Sequence, residues 1–145
     1  MMLGLRSIVT TKEKWYRLLF YDFDSKFDRS FVNYVYSVLK SSYLVYSTKH
    51  GHHSIGLTPL KTTDWAWGLS LLEDEFHSYY SGDTIRLSRK KDEVQKLIEI
   101  NYAYGEVIPN LYNIYAGRFG LNKMPVDMKN LKHSLVFESY RTFND

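Results

Sequence analysis

The spacing of apolar positions along this chain switches between a strand-like and a helix-like period, and the switches outline its elements. "KWYRLLFYDF" (14–23) is almost continuously apolar and aromatic and reads as one buried strand. "DSKFDRS" follows with turn and capping residues, Ser25, Asp28 and Ser30 being candidate N-caps. Phe31, Val35 and Val38 then recur at helical spacing, with Tyr34 and Leu39 widening the face, which predicts a helix to Lys40. "YLVYST" and "HHSIGL" read as two strands joined at "KHG", and Pro59 with "KTT" stops the second. Thr62 or Thr63 caps a second helix, in which Trp65, Leu69, Leu72 and Phe76 fall at i, i+4, i+7 and i+11. "TIRLSRK" (84–90) reads as a fourth strand, with Ile85 and Leu87 on one face.

Residues 15–91 therefore run strand, helix, strand, strand, helix, strand. This order predicts an α+β domain with a ferredoxin-like antiparallel sheet and helices on one face. Further on, "KDEVQKLIEI" (91–100) reads as a helix, Pro109 opens another through "NLYNIYAGRF", and "HSLVFESY" reads as a closing strand. No repeat, linker or low-complexity tract divides the 145 residues. The expectation is one domain, 1–145, with its core in 15–91 and a C-terminal helical extension in 92–145 that ends in the closing strand.

Composition narrows the chemistry. A hydrophobic fraction of 44% against 24% charged residues excludes a disordered chain. The net charge of +3 neither requires nor excludes a nucleic-acid partner, because a local patch matters more than the sum. The absence of cysteine removes disulfides, zinc–thiolate sites and thiol nucleophiles together. No apolar run is long enough to cross a bilayer and the N-terminal one is too short for a signal peptide, so an intracellular, cytoplasmic protein without a membrane partner is expected.

Three groups of residues could carry chemistry. Asp22 and Asp24 flank Phe23 at the end of the first strand, so both carboxylates project to one side. Such a pair is common at a solvated strand end, and it becomes useful when a divalent cation sits between the two charges. His50, His52 and His53 surround Gly51 in the hairpin; His53 shares parity with Ile55 and Leu57 and so points to their face. Arg86, Arg89, Lys90 and Lys91 form the densest cationic run, either a solvated strand end or a phosphate contact.

Taken in order, these groups resemble the catalytic core of the archaeo-eukaryotic primase superfamily, including primase-polymerases of archaeal plasmids and viruses. "LLFYDFDS" is similar to that family's hydrophobic strand ending in Asp-x-Asp, and "STKHGHHSI" to its Gly-x-His element through Gly51 and His53. The resemblance covers about half the chain. It implies an RNA-recognition-motif-like sheet and a role in DNA replication by metal-dependent nucleotidyl transfer, with nucleic acid and nucleotides as partners. It also implies a magnesium or manganese ion on Asp22 and Asp24, a triphosphate contact from His53, and phosphate or template contacts from Lys49, Arg86 and Arg89. A third acid is expected beside Arg86, where Ser88 stands; Asp83 and Glu138 are the candidates to replace it. A catalytically reduced derivative that still binds nucleic acid is the companion reading.

Two other classes compete. HUH endonucleases of rolling-circle replication hold a metal with two histidines and attack DNA with a tyrosine. Here "HGH" supplies the histidines and Tyr102, Tyr104, Tyr112 or Tyr115 the nucleophile. A ferredoxin-like sheet with exposed aromatics could instead bind single-stranded nucleic acid by stacking, or serve as a protein-interaction module.

Overall fold

The computed structural model describes residues 2–10, 14–24, 27–71, 84–87, 92–122 and 137–140. In chain order the elements are β1 (Met2–Arg6), β2 (Ile8–Thr10), β3 (Trp15–Arg17), β4 (Phe20–Phe23), α1 (Arg29–Leu39), β5 (Tyr43–Ser47), β6 (His52–Gly56), α2 (Thr62–Ser70), β7 (Thr84–Arg86), β8 (Leu97–Asn101), α3 (Pro109–Phe119) and β9 (Phe137–Tyr140). The class is α+β, with a four-stranded antiparallel sheet in the order β4-β6-β5-β8. This is compatible with a ferredoxin-like arrangement.

Local chemistry explains the boundaries. Of the three candidate caps before α1, Asp28 is used: its Oδ1 accepts from Phe31 N at 3.0 Å. The helix ends at Lys40, which takes the left-handed conformation (φ 55°) and donates its N–H to Ser37 O. Pro109 and Gly120 (φ 71°) bracket α3 in the usual order of proline at the start and glycine past the end. α2 follows Lys61 without a side-chain cap, so the expected Thr62 or Thr63 cap is not formed. Leu72 and Phe76 lie outside the described residues.

Three expectations change. The run 14–23 is two strands, because Leu18 N donates to Ser7 O and Arg17 exchanges backbone bonds with Leu60, while only Phe20–Phe23 joins the main sheet. The fourth strand of that sheet is β8, from the segment read as a helix, and it pairs with β5 across a register shift between Val45 and Tyr46. β7, the strand expected in that place, pairs instead with β1, and β9 closes the other side of β1.

Alternation along the strands divides the core into two layers. On one side Leu19, Tyr21, Phe23, Tyr43 and Val45 pack with Val32, Val35 and Tyr36 of α1 and with the α2 tryptophans. The crossover helices share this face, as expected. Tyr34 and Val38, read as part of the apolar face of α1, are exposed. On the other side Phe20, Leu44, Tyr46, Ile55 and Leu57 pack with Leu5, Ile85 and Leu87 and with Leu111, Tyr112, Tyr115 and Ala116 of α3. The extension thus covers the second face of the sheet. Among the described residues no helix is long and apolar enough to cross a membrane.

Candidate functional site

Asp22 lies on the α3 side of β4, next to the buried Tyr21 and Phe23 that anchor its neighbours on the α1 side. Strand register places it directly opposite His53 of β6, which in turn lies opposite Tyr46 of β5. The three side chains form one row across the sheet. His53 Nε2 is 3.3 Å from Asp22 Oδ1, and His53 Nδ1 is 2.9 Å from Tyr46 Oη. Tyr46 is fully buried and His53 nearly so, whereas Asp22 is partly exposed, so the row runs from the core outward to solvent.

The turn after β5 completes the local geometry. Thr48 N donates to Gly51 O (2.8 Å), and Gly51 N donates to Thr48 Oγ1 (3.0 Å). A Cβ at Gly51 would sit 1.7 Å from Phe23 O and 2.9 Å from Asp24 Cα. Only glycine allows the hairpin tip to lie this close to the end of β4. The close approach brings Thr48, Lys49 and His50 beside Asp22 and Asp24.

Together with His53, Glu93 and Gln95, these residues line a shallow pocket that is open to solvent. Its far wall is the segment leading into β8. Lys49 N donates to Glu93 Oε1 (2.7 Å), Ser47 N to Lys96 O (2.8 Å), and Lys96 N to Ser47 Oγ (2.9 Å). Arg118 of α3 supports this wall by donating to Gln95 Oε1 (3.2 Å) and to Leu87 O, with its guanidinium over the Tyr115 ring.

Five of the residues singled out in the sequence meet here: Asp22, Asp24, Lys49, His50 and His53. Arg86 is on β7, opposite Gly4 in the second sheet, and its side chain is outside the described set. Arg89, Ser88 and Asp83 are also outside the described residues. Glu138 pairs with Gly4 on β9, again with its side chain outside the described set. The acid that does reach the pocket is Glu93, which no sequence signal marked, because only the position of β8 brings it there. Tyr46 was legible in principle: counting back from a four-residue turn at 48–51 pairs it with His53.

The pocket's donor set can be tested against a divalent cation. Two carboxylates one pleat apart supply hard oxygen ligands, while Glu93 is engaged by the Lys49 N–H. Among the described residues no three His, Asp or Glu are arranged to hold an ion by themselves. Magnesium is commonly held by one or two carboxylates with water and substrate phosphates completing the shell, and Asp22 and Asp24 supply that number of carboxylates.

Buried tyrosines surround the inner end of the row. Burial, reinforced by the neighbouring Tyr115, pushes the Tyr46 phenol well above its ordinary pKa. Burial also raises Tyr115 to about 12, against the lowering influence of Arg118. The Tyr115 hydroxyl is buried without a hydrogen-bond partner of normal geometry.

The residues behind the competing readings are spread over the fold, with Tyr102 exposed after β8. His50 lines the pocket, but His52 lies on the opposite face against the Phe27 ring at 5.8 Å, so the two do not converge on one ion. Tyr115 and Tyr112 are buried in the core under α3 and are not presented as nucleophiles. Stacking of bases on the sheet is equally obstructed, since Phe20 and Tyr46 are 0% exposed. No family model, no curated protein and no solved structure matches the chain.

Proposed function

We propose that this chain is a primase-polymerase-like protein of DNA replication that binds a nucleoside triphosphate together with magnesium or manganese, for nucleotidyl transfer to a nucleic-acid end. One observation carries the reading. The two motifs behind the primase resemblance, Asp-x-Asp and Gly-x-His, are distant in sequence, and the β4–β6 register sets Asp22 opposite His53 at the rim of one pocket.

In this reading Asp22 and Asp24 hold the ion, which when bound offsets phosphate charge and orients the triphosphate. Lys49 and His50, exposed on the turn, face the outer phosphates; a lysine there acts as a point charge. His53 is turned toward Asp22, so its first task is to hold that carboxylate. In the transfer step the 3′ hydroxyl of the nucleic acid forms a bond to the α-phosphorus, and the bond to pyrophosphate breaks.

The test is calorimetric titration of manganese and a nucleoside triphosphate into wild type and the Asp22→Asn, Asp24→Asn double variant, with folding of both checked by circular dichroism. Metal-dependent nucleotide binding by wild type, lost in the double variant, is the expected result. Binding by neither protein, or equal binding by both, would overturn the reading. Where binding is seen, primer extension on a DNA template distinguishes transfer from nucleotide binding alone.

A further inference from the structure

We infer that Tyr46 is a positioning residue for the metal-binding carboxylate: its hydroxyl donates to His53 Nδ1 and so holds the neutral ring in the tautomer whose protonated Nε2 lies beside Asp22 Oδ1. The inference rests on the proposed metal role of Asp22 and adds a residue to it.

Donor and acceptor capacities assign the protons along the row. An ionised carboxylate only accepts, so the ring nitrogen 3.3 Å from Asp22 Oδ1 is the one that carries the proton. A neutral imidazole has a single N–H, and its other nitrogen is therefore an acceptor. That nitrogen, Nδ1, is 2.9 Å from Tyr46 Oη, which leaves the phenol as the donor. Burial pushes the phenol's pKa well above its ordinary value, so it has a proton to donate at neutral pH.

Packing holds the donor in place. The Tyr46 ring lies between Tyr115 (centroids 5.6 Å apart) and Phe119 (5.5 Å) and meets the His53 ring edge-on at 5.2 Å. The Tyr46 ring is therefore held against α3, and the His53 ring against Tyr46. The cross-strand row of β4, β6 and β5 thus transmits a fixed orientation from the core to the pocket. His53 lies against one oxygen of Asp22, Oδ1, and so restrains the carboxylate that would hold the ion. Groups that touch a metal ligand, as His53 touches Asp22, typically change metal affinity by about 10–100-fold when removed, and Tyr46, one contact further in, is expected at the lower end.

The experiment uses the full chain and manganese alone. Nitrogen-15 NMR of the histidine rings at one fixed pH reads the tautomer of His53 in wild type and in Tyr46→Phe. Manganese affinity is read in parallel by electron paramagnetic resonance. Tyr46→Phe keeps the ring and removes only the hydroxyl, and a thermal melt checks its fold. The expected outcome is a pure Nε2–H signature in wild type, a mixed signature in the variant, and manganese affinity about tenfold lower in the variant. A wild-type Nδ1–H tautomer or an imidazolium signature would overturn the inference, and this readout stands even if the variant fails to fold. A shifted tautomer with unchanged affinity would overturn the positioning role. Failure of wild type to bind manganese at all overturns the proposed function and the positioning role with it, while the ring assignment is still decided by NMR.

Discussion

The two faces of the main sheet both bury tyrosines, yet they treat the hydroxyls differently. On the side of α1 and α2 the phenols are tied to the fold: Tyr21 donates to Gly68 O (2.6 Å) and Tyr36 to Leu19 O (2.8 Å), with Ser54 Oγ a further 3.0 Å partner. Tyr43 accepts from Asn33 Nδ2 at 3.3 Å. On the side of α3, Tyr46 turns to His53 and Tyr115 has no partner of normal geometry. The first arrangement stabilises, since each such bond contributes about 1 kcal/mol and costs more if half of it is removed. The second leaves polar capacity unspent on the backbone and directs it toward Asp22. One face holds the fold together, and the other connects the core to the pocket.

The comparison can be broken at several points. The largest effect is expected from Gly51→Ala, because the new Cβ meets the Phe23 carbonyl at 1.7 Å. Relief requires the turn to leave β4, so roughly 3 kcal/mol of stability is lost, at the upper end of overpacking costs. Urea denaturation measures the loss, and the titration of manganese should fail in the same protein.

Next comes alkaline lability of the α3 face. Tyr115 has a pKa of about 12 in the fold against 10.0 ordinarily. Below pH 10 it is protonated in both folded and unfolded states and adds no pH dependence. From pH 10 to 12 the unfolded chain releases the proton and the native state keeps it, so stability falls by roughly 2–3 kcal/mol over that window. Tyr115→Phe should flatten the decline, as followed by circular dichroism across the same range.

The smallest effects sharpen the contrast in sign. Tyr36→Phe should cost about 1–2 kcal/mol at pH 7, because it strips a donor from two buried acceptors. Tyr115→Phe at the same pH should be neutral or stabilising by about 0.5 kcal/mol, because the hydroxyl it removes makes no hydrogen bond of normal geometry. Equal losses from the two substitutions, measured by denaturant midpoints, would dissolve the distinction between the faces.

Much of this was legible because it depends on alternation. Asp22 and Asp24 on one side, Phe23 in the core and His53 sharing a face with Ile55 and Leu57 all follow from period two within short strands. Partner choice was not legible. In "KDEVQKLIEI", Val94, Leu97 and Ile98 fall at i, i+3 and i+4 among good helix formers, yet the residues from Leu97 on lie along the exposed edge of β5. The tertiary pairing overrides the local preference. The same applies to Ile85, whose strand reads equally well for either sheet and pairs with Leu5. Glu93 enters the pocket only as a result of the first of these choices.

The position of β8 also sets an order of assembly. During synthesis the Asp-x-Asp strand, the first helix and the Gly-x-His hairpin emerge long before Leu97–Asn101. Until then β5 is an open edge with unpaired backbone groups, a template for association with other chains. A fragment cut after residue 91 would keep Asp22, Asp24 and His53, yet lose Glu93, Gln95 and the strand that seals that edge. Such a minimal core would be expected to aggregate.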